Sequence, residues 1–349
     1  MSAKDEQRAQ RVHAKIWGTY RNLALQSCLI PECQSSGKVI KAHSIQEKRV
    51  LRSVSNNGHV YMIKSTAQGF AFQLVGVRKA TRFTGFCSQH DNELFDKVDL
   101  GDERSINPND PEQAVRLSLR STACEYWKKL NAQIFFRKLL QLARSGDVPS
   151  ISEYINLDQV DVSKSLDYVI SVAKSRLDGF DFAVKRIGRQ FMSLLHQLES
   201  GKFHLSKFST IRLKTSPTVV VSAHFPPEYN LSGKCIVSKM TGVDLPEVTL
   251  NIVPNENEVV LMFLWHKRYE QLFRSFFHDL ENLKEAKRAL ILSQMLIMQV
   301  ENMALSPRLV DMWEDQEKSA VLDLFKRTTN VSIPYLTDWN VDLFGIKSC

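Results

Sequence analysis

Residues 28–45 read "CLIPECQSSGKVIKAHSI", with two cysteines five positions apart followed by a histidine in a short strand-like run. A second stretch, "FCSQHDNELFD" at residues 86–96, sets Cys87 and His90 three apart at the expected start of a helix. A spacing of three is close to one helical turn, so both donors face the same way. The helix N-terminus also favours a Cys87 thiolate. Cys28, Cys33, His43, Cys87 and His90 are therefore candidate ligands, one more than a closed tetrahedral zinc site needs. The surplus residue points to a second role.

The rest of the composition places this frame in context. A chain of 349 residues, 43% hydrophobic, exceeds the size of about 250–300 residues at which single cores stop growing, so two units are expected. No apolar run of about 18 residues occurs, and "MSAKDEQRAQR" lacks the apolar stretch of a signal peptide, so a cytoplasmic protein without a membrane span is expected. Six cysteines are too few for a disulfide framework, and in a reducing compartment the clustered three read as metal ligands. Cys124, Cys235 and Cys349 read as inert thiols. Residues 1–86 hold 14 Lys/Arg against 4 Asp/Glu, whereas residues 87–349 hold 32 against 34. The basic excess is thus confined to the Cys/His segment, as expected of a phosphate-backbone binder that gains from counterion release.

Along the chain, residues 4–26 suit a basic amphipathic helix that packs on the Cys/His segment. "KVIKAHSI", "GHVYMIK", "GFAFQLVGV" and "TRFTGF" read as hairpin strands separated by "SNNG" and "TAQG". The polar stretch "DLGDERSINPNDP" marks the boundary, giving a basic metal-binding module over 1–105 and an α+β unit over 106–349 for recognition or oligomerisation. In the second unit, apolar spacings predict one long helix from about Pro111 to Arg144 and another from Leu166 to Gly201, with Gly179 and Gly188 as candidate interruptions. "TVVVSAHF", "KCIVSKM", "VTLNIV" and "VVLMFLW" predict a small antiparallel sheet, and helices follow it. The Met-rich run "ILSQMLIMQVENM" predicts a core helix or a homo-oligomer interface.

The pattern C-x4-C … IKAHSI … FC-x2-HD-x3-FD resembles the zinc-stabilised HNH (ββα-metal) endonucleases over roughly residues 28–97. It also resembles N-terminal modules of uncharacterised bacterial defence-type proteins. The resemblance implies a treble-clef module with a structural Zn2+ on Cys28, Cys33, Cys87 and His90. It further implies His43 as the general base that activates water, and Asp91 as a ligand to a catalytic Mg2+ or Mn2+. This sequence departs from the family where Ala42 stands in place of an acidic neighbour of the base and where Glu93 and Leu94 occupy the region of the final histidine. Two readings follow from the resemblance. One is a metal-dependent nuclease acting in anti-phage or mobile-element defence. The other is a non-catalytic zinc-stabilised component that binds nucleic acid or a protein partner in a multiprotein defence system.

The remaining histidines show no ligand spacing, and Arg176, Lys185, Arg186 and Arg189 make a basic stripe that reads as a solvated helix face. No phosphate-binding G-x4-G-K-[ST] loop, dinucleotide fingerprint, G-x-S-x-G elbow or H-E-x2-H helix occurs, which disfavours nucleotide hydrolysis, dinucleotide redox chemistry, serine hydrolysis and zincin proteolysis.

Overall fold

The computed structural model describes residues 3–21, 24–34, 38–66, 69–99, 106–237, 245–255, 258–329 and 331–346. The N-terminal segment holds α1 (Ala3–Arg21), β1 (Ala42–His43), a π-helical turn at Glu47–Leu51 continued by α2 (Arg52–Val54), β2 (His59–Thr66), β3 (Gly69–Gly76), β4 (Arg82–Phe83) and α3 (Ser88–Phe95). Then come α4 (Pro111–Ser145), α5 (Val148–Ile155), α6 (Gln159–Ser163), α7 (Leu166–Ser200), β5 (Ser206–Leu213), β6 (Val219–Phe225), β7 (Val248–Asn255) and β8 (Glu258–His266). The chain closes with α8 (Glu270–Glu281), α9 (Glu285–Gln299), β9 (Met303–Leu305), α10 (Pro307–Val310) and α11 (Asp315–Thr328).

The protein is mixed α+β, and its sheet is large rather than small: seven strands in the order β3-β2-β9-β6-β7-β8-β5, every pair antiparallel. Both faces are covered, which explains the continuous apolar run of β8. Val259, Leu261, Phe263 and Trp265 face one core with Phe273 and Phe277 of α8, while Val260, Met262 and Leu264 face the other with Leu119 of α4 and Phe191 of α7. A strand buried on both sides has no polar face to alternate with. The sheet also runs across residue 105. The β2–β3 hairpin joins it through β9, where Tyr61 and Val219 flank Leu305 from opposite sides. "TRFTGF" does not extend that hairpin; it supplies β4, which pairs with β1 in a separate ladder that sets Ala42 opposite Phe83 and His43 opposite Arg82. "KCIVSKM" contributes only an isolated bridge of Cys235 to Tyr229, and residues 238–240 lie outside the described residues.

The two long helices form as their sequences require. Asp110 caps α4 by accepting from the Glu112 and Gln113 amides, and Gly146 ends it at φ +72°. Gly201 ends α7 in the same way, and neither Gly179 nor Gly188 interrupts that helix. Gly188 instead marks a close approach, since a Cβ there would stand 3.1 Å from the Tyr126 ring of α4. Beyond the sheet, α4 and α7 continue into a helical cluster with α5 and α6, and α1 docks here rather than on the Cys/His segment. Its buried Val12 and Ile16 lie on the face that carries Tyr20 against Phe135, Phe136 and Phe180, and Arg8 and Arg11 reach Asp161.

Between α4 and the sheet runs a buried polar seam. Thr249 donates to Ser118 at 2.7 Å, and Ser121 lies 2.9 Å from the Ser222 hydroxyl and donates to Asn251. These strand residues alternate with core positions, so "VVVSAHF" and "VTLNIV" each carry one polar edge. The seam reaches the N-terminal segment through Asn302, whose side-chain amide donates to Ser44 at 2.8 Å and to the Ser222 carbonyl at 2.7 Å. It opens into a cavity of about 340 Å³ walled by Glu125, Lys128, Lys129 and Glu301 among others. Burial opposes ionisation of Glu125, but Lys129 and Lys128 outweigh it and hold that carboxyl below the usual carboxylate range.

Candidate metal centre

The loop carrying Cys28 and Cys33 is fastened to the segment before α3 by backbone. Leu29 N–H donates to Gly85 C=O at 2.8 Å, Ile40 N–H donates to Phe86 C=O at 2.8 Å, and Val39 bridges Cys87. Gly85 permits this approach: a Cβ there would lie 2.4 Å from the Phe83 ring and 3.1 Å from Leu29 Cδ1. The Cys-x4-Cys loop turns tightly, with Cys33 N–H donating to Ile30 C=O and Glu32 at φ +55°. Beneath the loop, Phe86 packs between Phe83 and Phe95 at centroid distances of 5.9 and 5.4 Å.

Cys87 is the N-cap of α3, its sulfur accepting from the His90 amide. The cap and the first turn therefore aim both side chains at the loop. Arg116 of α4 secures the far end by donating to the Glu93 and Leu94 carbonyls, and the Arg120 guanidinium stacks 4.1 Å from the Phe95 ring centroid. One cation thus satisfies carbonyls at the helix C-terminus, where the macrodipole favours positive charge.

The donor atoms of Cys28, Cys33, Cys87 and His90 lie within 4.8 Å of one another. Cys33 and Cys87 sulfurs are 3.9 Å apart, and His90 Nδ1 lies 3.5 Å from Cys28 Sγ and 3.2 Å from Cys87 Sγ. A tetrahedral Zn2+ with ordinary bond lengths requires S···S edges of about 3.8 Å and S···N edges of about 3.5 Å. The Cys33–Cys87, Cys28–His90 and Cys87–His90 separations lie near these edges, and the donor set matches the soft thiolate and imidazole preference of zinc. Without a cation, burial pushes the Cys28 thiol up to about 11. A bound divalent ion reverses that balance by stabilising thiolate.

His43 stands outside this group of four. It sits on β1, its Nε2 3.4 Å from Glu47 Oε2 and 3.4 Å from Arg82 Nε. Burial, then Arg82, hold its pKa below the usual imidazole range, while Glu47 pulls the other way. The ring is therefore neutral at pH 7, and its Nε2 lone pair accepts from Arg82 Nε–H. Glu47 was not foreseen, although "HSIQE" carries it at the one-turn spacing of i and i+4. Asp91, next to ligand His90, is half-buried; burial raises its pKa, Arg120 opposes this, and Asp99 adds to it. Arg120 itself grips Asp99 through both terminal nitrogens, at 2.7 and 2.5 Å. Among the described residues, no second group of three or more Cys, His, Asp or Glu side chains gathers at ligand distance.

An open cleft lies on the N-terminal segment. Arg52, His59, Arg78 and Lys79 line it without any carboxylate. Its wall is linked to the imidazole by two contacts, Arg52 to Glu47 at 3.4 Å and Glu47 to His43. No described helix is long and apolar enough to cross a membrane. No protein-family profile, curated protein or solved structure matches the chain.

Proposed function

We propose that the protein is a metal-dependent HNH-like nuclease whose Cys/His segment is a treble-clef, ββα-metal-type module. The observation that supports this reading is the separation of His43 from the four clustered donors, so that its imidazole is not used in holding a metal there. In this reading Cys28, Cys33, Cys87 and His90 would hold a structural zinc, which would tie the loop to α3; His43 lies on the neighbouring β1–β4 ladder. The cleft of Arg52, Arg78 and Lys79 takes the phosphate backbone.

In this reading His43 Nε2 would accept the proton of the attacking water once the Arg82 Nε–H that donates to it turns to the substrate, and Glu47 would steady the imidazolium that forms. Arg82 holds the basicity of His43 down before reaction and lies close enough to meet a phosphate oxygen. Asp91 is the carboxylate that would hold the catalytic cation. A Mg2+ or Mn2+ there would neutralise charge on the phosphorane and the leaving oxygen. With no second ligand cage among the described residues, such an ion would draw much of its coordination from water and substrate phosphate, as Mg2+ commonly does.

That same sparse cage favours a second reading, a zinc-stabilised module that binds nucleic acid or a protein partner without cutting. The deciding experiment incubates the purified protein with DNA and with RNA in Mg2+ or Mn2+, beside His43→Ala. Cleavage lost in the variant supports the nuclease. Salt-sensitive binding with no cleavage by either protein supports the second reading. The setting in bacterial anti-phage or mobile-element defence rests on the resemblance of the Cys/His segment alone.

A further inference from the structure

The cleft lined by Arg52, His59, Arg78 and Lys79, of about 640 Å³, holds one aromatic ring among its cations. His59 opens β2 directly after a tight turn in which Asn57 and Gly58 both have positive φ, +49° and +73°. Backbone closes that turn: Asn56 and His59 exchange hydrogen bonds at 3.0 Å, and Val77 N–H donates to Gly58 C=O at 2.9 Å. The side chain is fixed as well. His59 Nδ1 lies 2.8 Å from the Asn57 carbonyl oxygen, which can only accept, so Nδ1 carries the proton and donates. The ring is thus exposed to solvent yet held in one orientation.

Gly76 adds an independent mark. It stands opposite His59 across the β2–β3 ladder, and a Cβ on it would lie 3.9 Å from ring atoms Cδ2 and Nε2. Any side chain at this position would therefore rest against the imidazole. Gly58 has a left-handed backbone that calls for glycine, whereas Gly76 does not. Glycine in a strand costs conformational entropy, and it is found there where a ligand or another chain must come close. The missing side chain leaves room beside a fixed, exposed ring, in a cleft whose Arg78 and Lys79 are exposed and engage no carboxylate among the described residues.

Cations alone take a phosphate backbone, single or double. A flat ring adds affinity only for a strand with unpaired bases, because a duplex keeps its base faces stacked on one another. We propose that this cleft receives single-stranded nucleic acid, with one base stacked on His59 in the space that Gly76 leaves and the adjoining phosphates on Arg78 and Lys79. The inference rests on the reading of this cleft as the place of the phosphate backbone, and it names the form of nucleic acid that the place takes. Every base has a π-face, so this contact selects an unpaired strand rather than a sequence.

Fluorescence anisotropy of the full chain, without added Mg2+ or Mn2+, tests this with one labelled DNA oligonucleotide presented as a single strand and as a duplex. His59→Ala should weaken the single strand by about fivefold or more, the low end of what one base–aromatic stack contributes, and leave the duplex unchanged. The salt slope for the single strand should stay the same in that variant, because stacking releases no counterions. His59→Tyr, which keeps a ring, should restore the affinity. Gly76→Val should reproduce the loss without lowering the melting temperature, since valine suits a strand and fills only the open space. Equal weakening of both forms by His59→Ala, or of neither, overturns the stacking inference; a slope reduced by Arg78→Gln and Lys79→Gln then still keeps the cleft as the interface. A slope unchanged by those two variants overturns the reading of the cleft and the inference together.

Discussion

His43 and Glu47 meet across one turn of chain, Nε2 to Oε2 at 3.4 Å, just where β1 gives way to the π-helical turn. Gln46 fixes that turn by accepting from the Arg49 and Val50 amides, which sets the Glu47 backbone one turn from His43. If His43 is the general base, its replacement by alanine should lower cleavage by about 10²–10⁴-fold, the usual contribution of such a group. Zinc content measured on the same preparation should not change, because His43 lies outside the four donors.

The pair also predicts a pH profile. Cleavage needs neutral His43, so activity falls as pH drops through its pKa, which burial and Arg82 set below the usual imidazole value of about 6.5. Glu47 favours the protonated ring, so Glu47→Gln should lower that pKa further. The acid limb of the rate profile should therefore move to lower pH by up to about one pH unit, while the maximum rate falls as the imidazolium loses its partner. A limb that moves to higher pH would contradict this role for Glu47.

If the cluster holds zinc, Cys28→Ser and Cys87→Ser should each remove one equivalent, measured by atomic emission, since both donors belong to the same group of four. Losing several kcal/mol of metal-linked stability should lower the melting temperature by on the order of 10 °C, and a chelator should reproduce the shift on the unaltered protein. Cys124→Ser, at a buried cysteine of α4 away from the cluster, should leave zinc content unchanged.

Binding to a short duplex should weaken linearly as salt rises on a double-logarithmic plot, with a slope set by the phosphates neutralised. Arg78→Gln and Lys79→Gln, both exposed on the cleft wall, should each reduce that slope by about 1 without altering the fold. Fluorescence anisotropy across a salt series measures it; an unaltered slope in the double variant would move the interface elsewhere.

Gly85→Ala tests the backbone seam directly. The added methyl meets the Phe83 ring, which is buried and braced by Phe86 and Trp127 and cannot swing away. The expected cost is about 1–3 kcal/mol, read from denaturant unfolding, together with weaker zinc retention, because Leu29 and the Cys28 loop hang from the Gly85 carbonyl.

Local chemistry explains which of these features were legible in the sequence. The clustering of Cys28, Cys33, Cys87 and His90 could be read because their spacing is set by a loop and one helical turn. The bounds of α4 could be read because Asp110 and Gly146 carry their capping roles on their faces. The extent of the sheet could not. The strand that links its two parts, β9, is three residues long, and "MAL" has no period to detect. In "SKFSTIRL" only Ile211 and Leu213 are fully buried, so β5 carries too weak an apolar signal to register against its flanks. The position of α1 was misjudged because its apolar face specifies burial, not a partner. The pairing of His43 with Glu47 needed only the i and i+4 spacing, but the strand assignment of "KAHSI" hid a helical turn beginning two residues later.

The contact of Tyr61 with Leu305 spans more than two-thirds of the chain. During synthesis the β2–β3 hairpin emerges early, yet the strand that joins it to the rest of the sheet is made late. Until β9 arrives, the pairing edges of β2 and β6 both stand open, a state that invites association between nascent chains. Metal capture by the Cys/His loop needs only residues 28–90 and can come first, so zinc would hold the early segment in shape while the sheet waits for its linking strand.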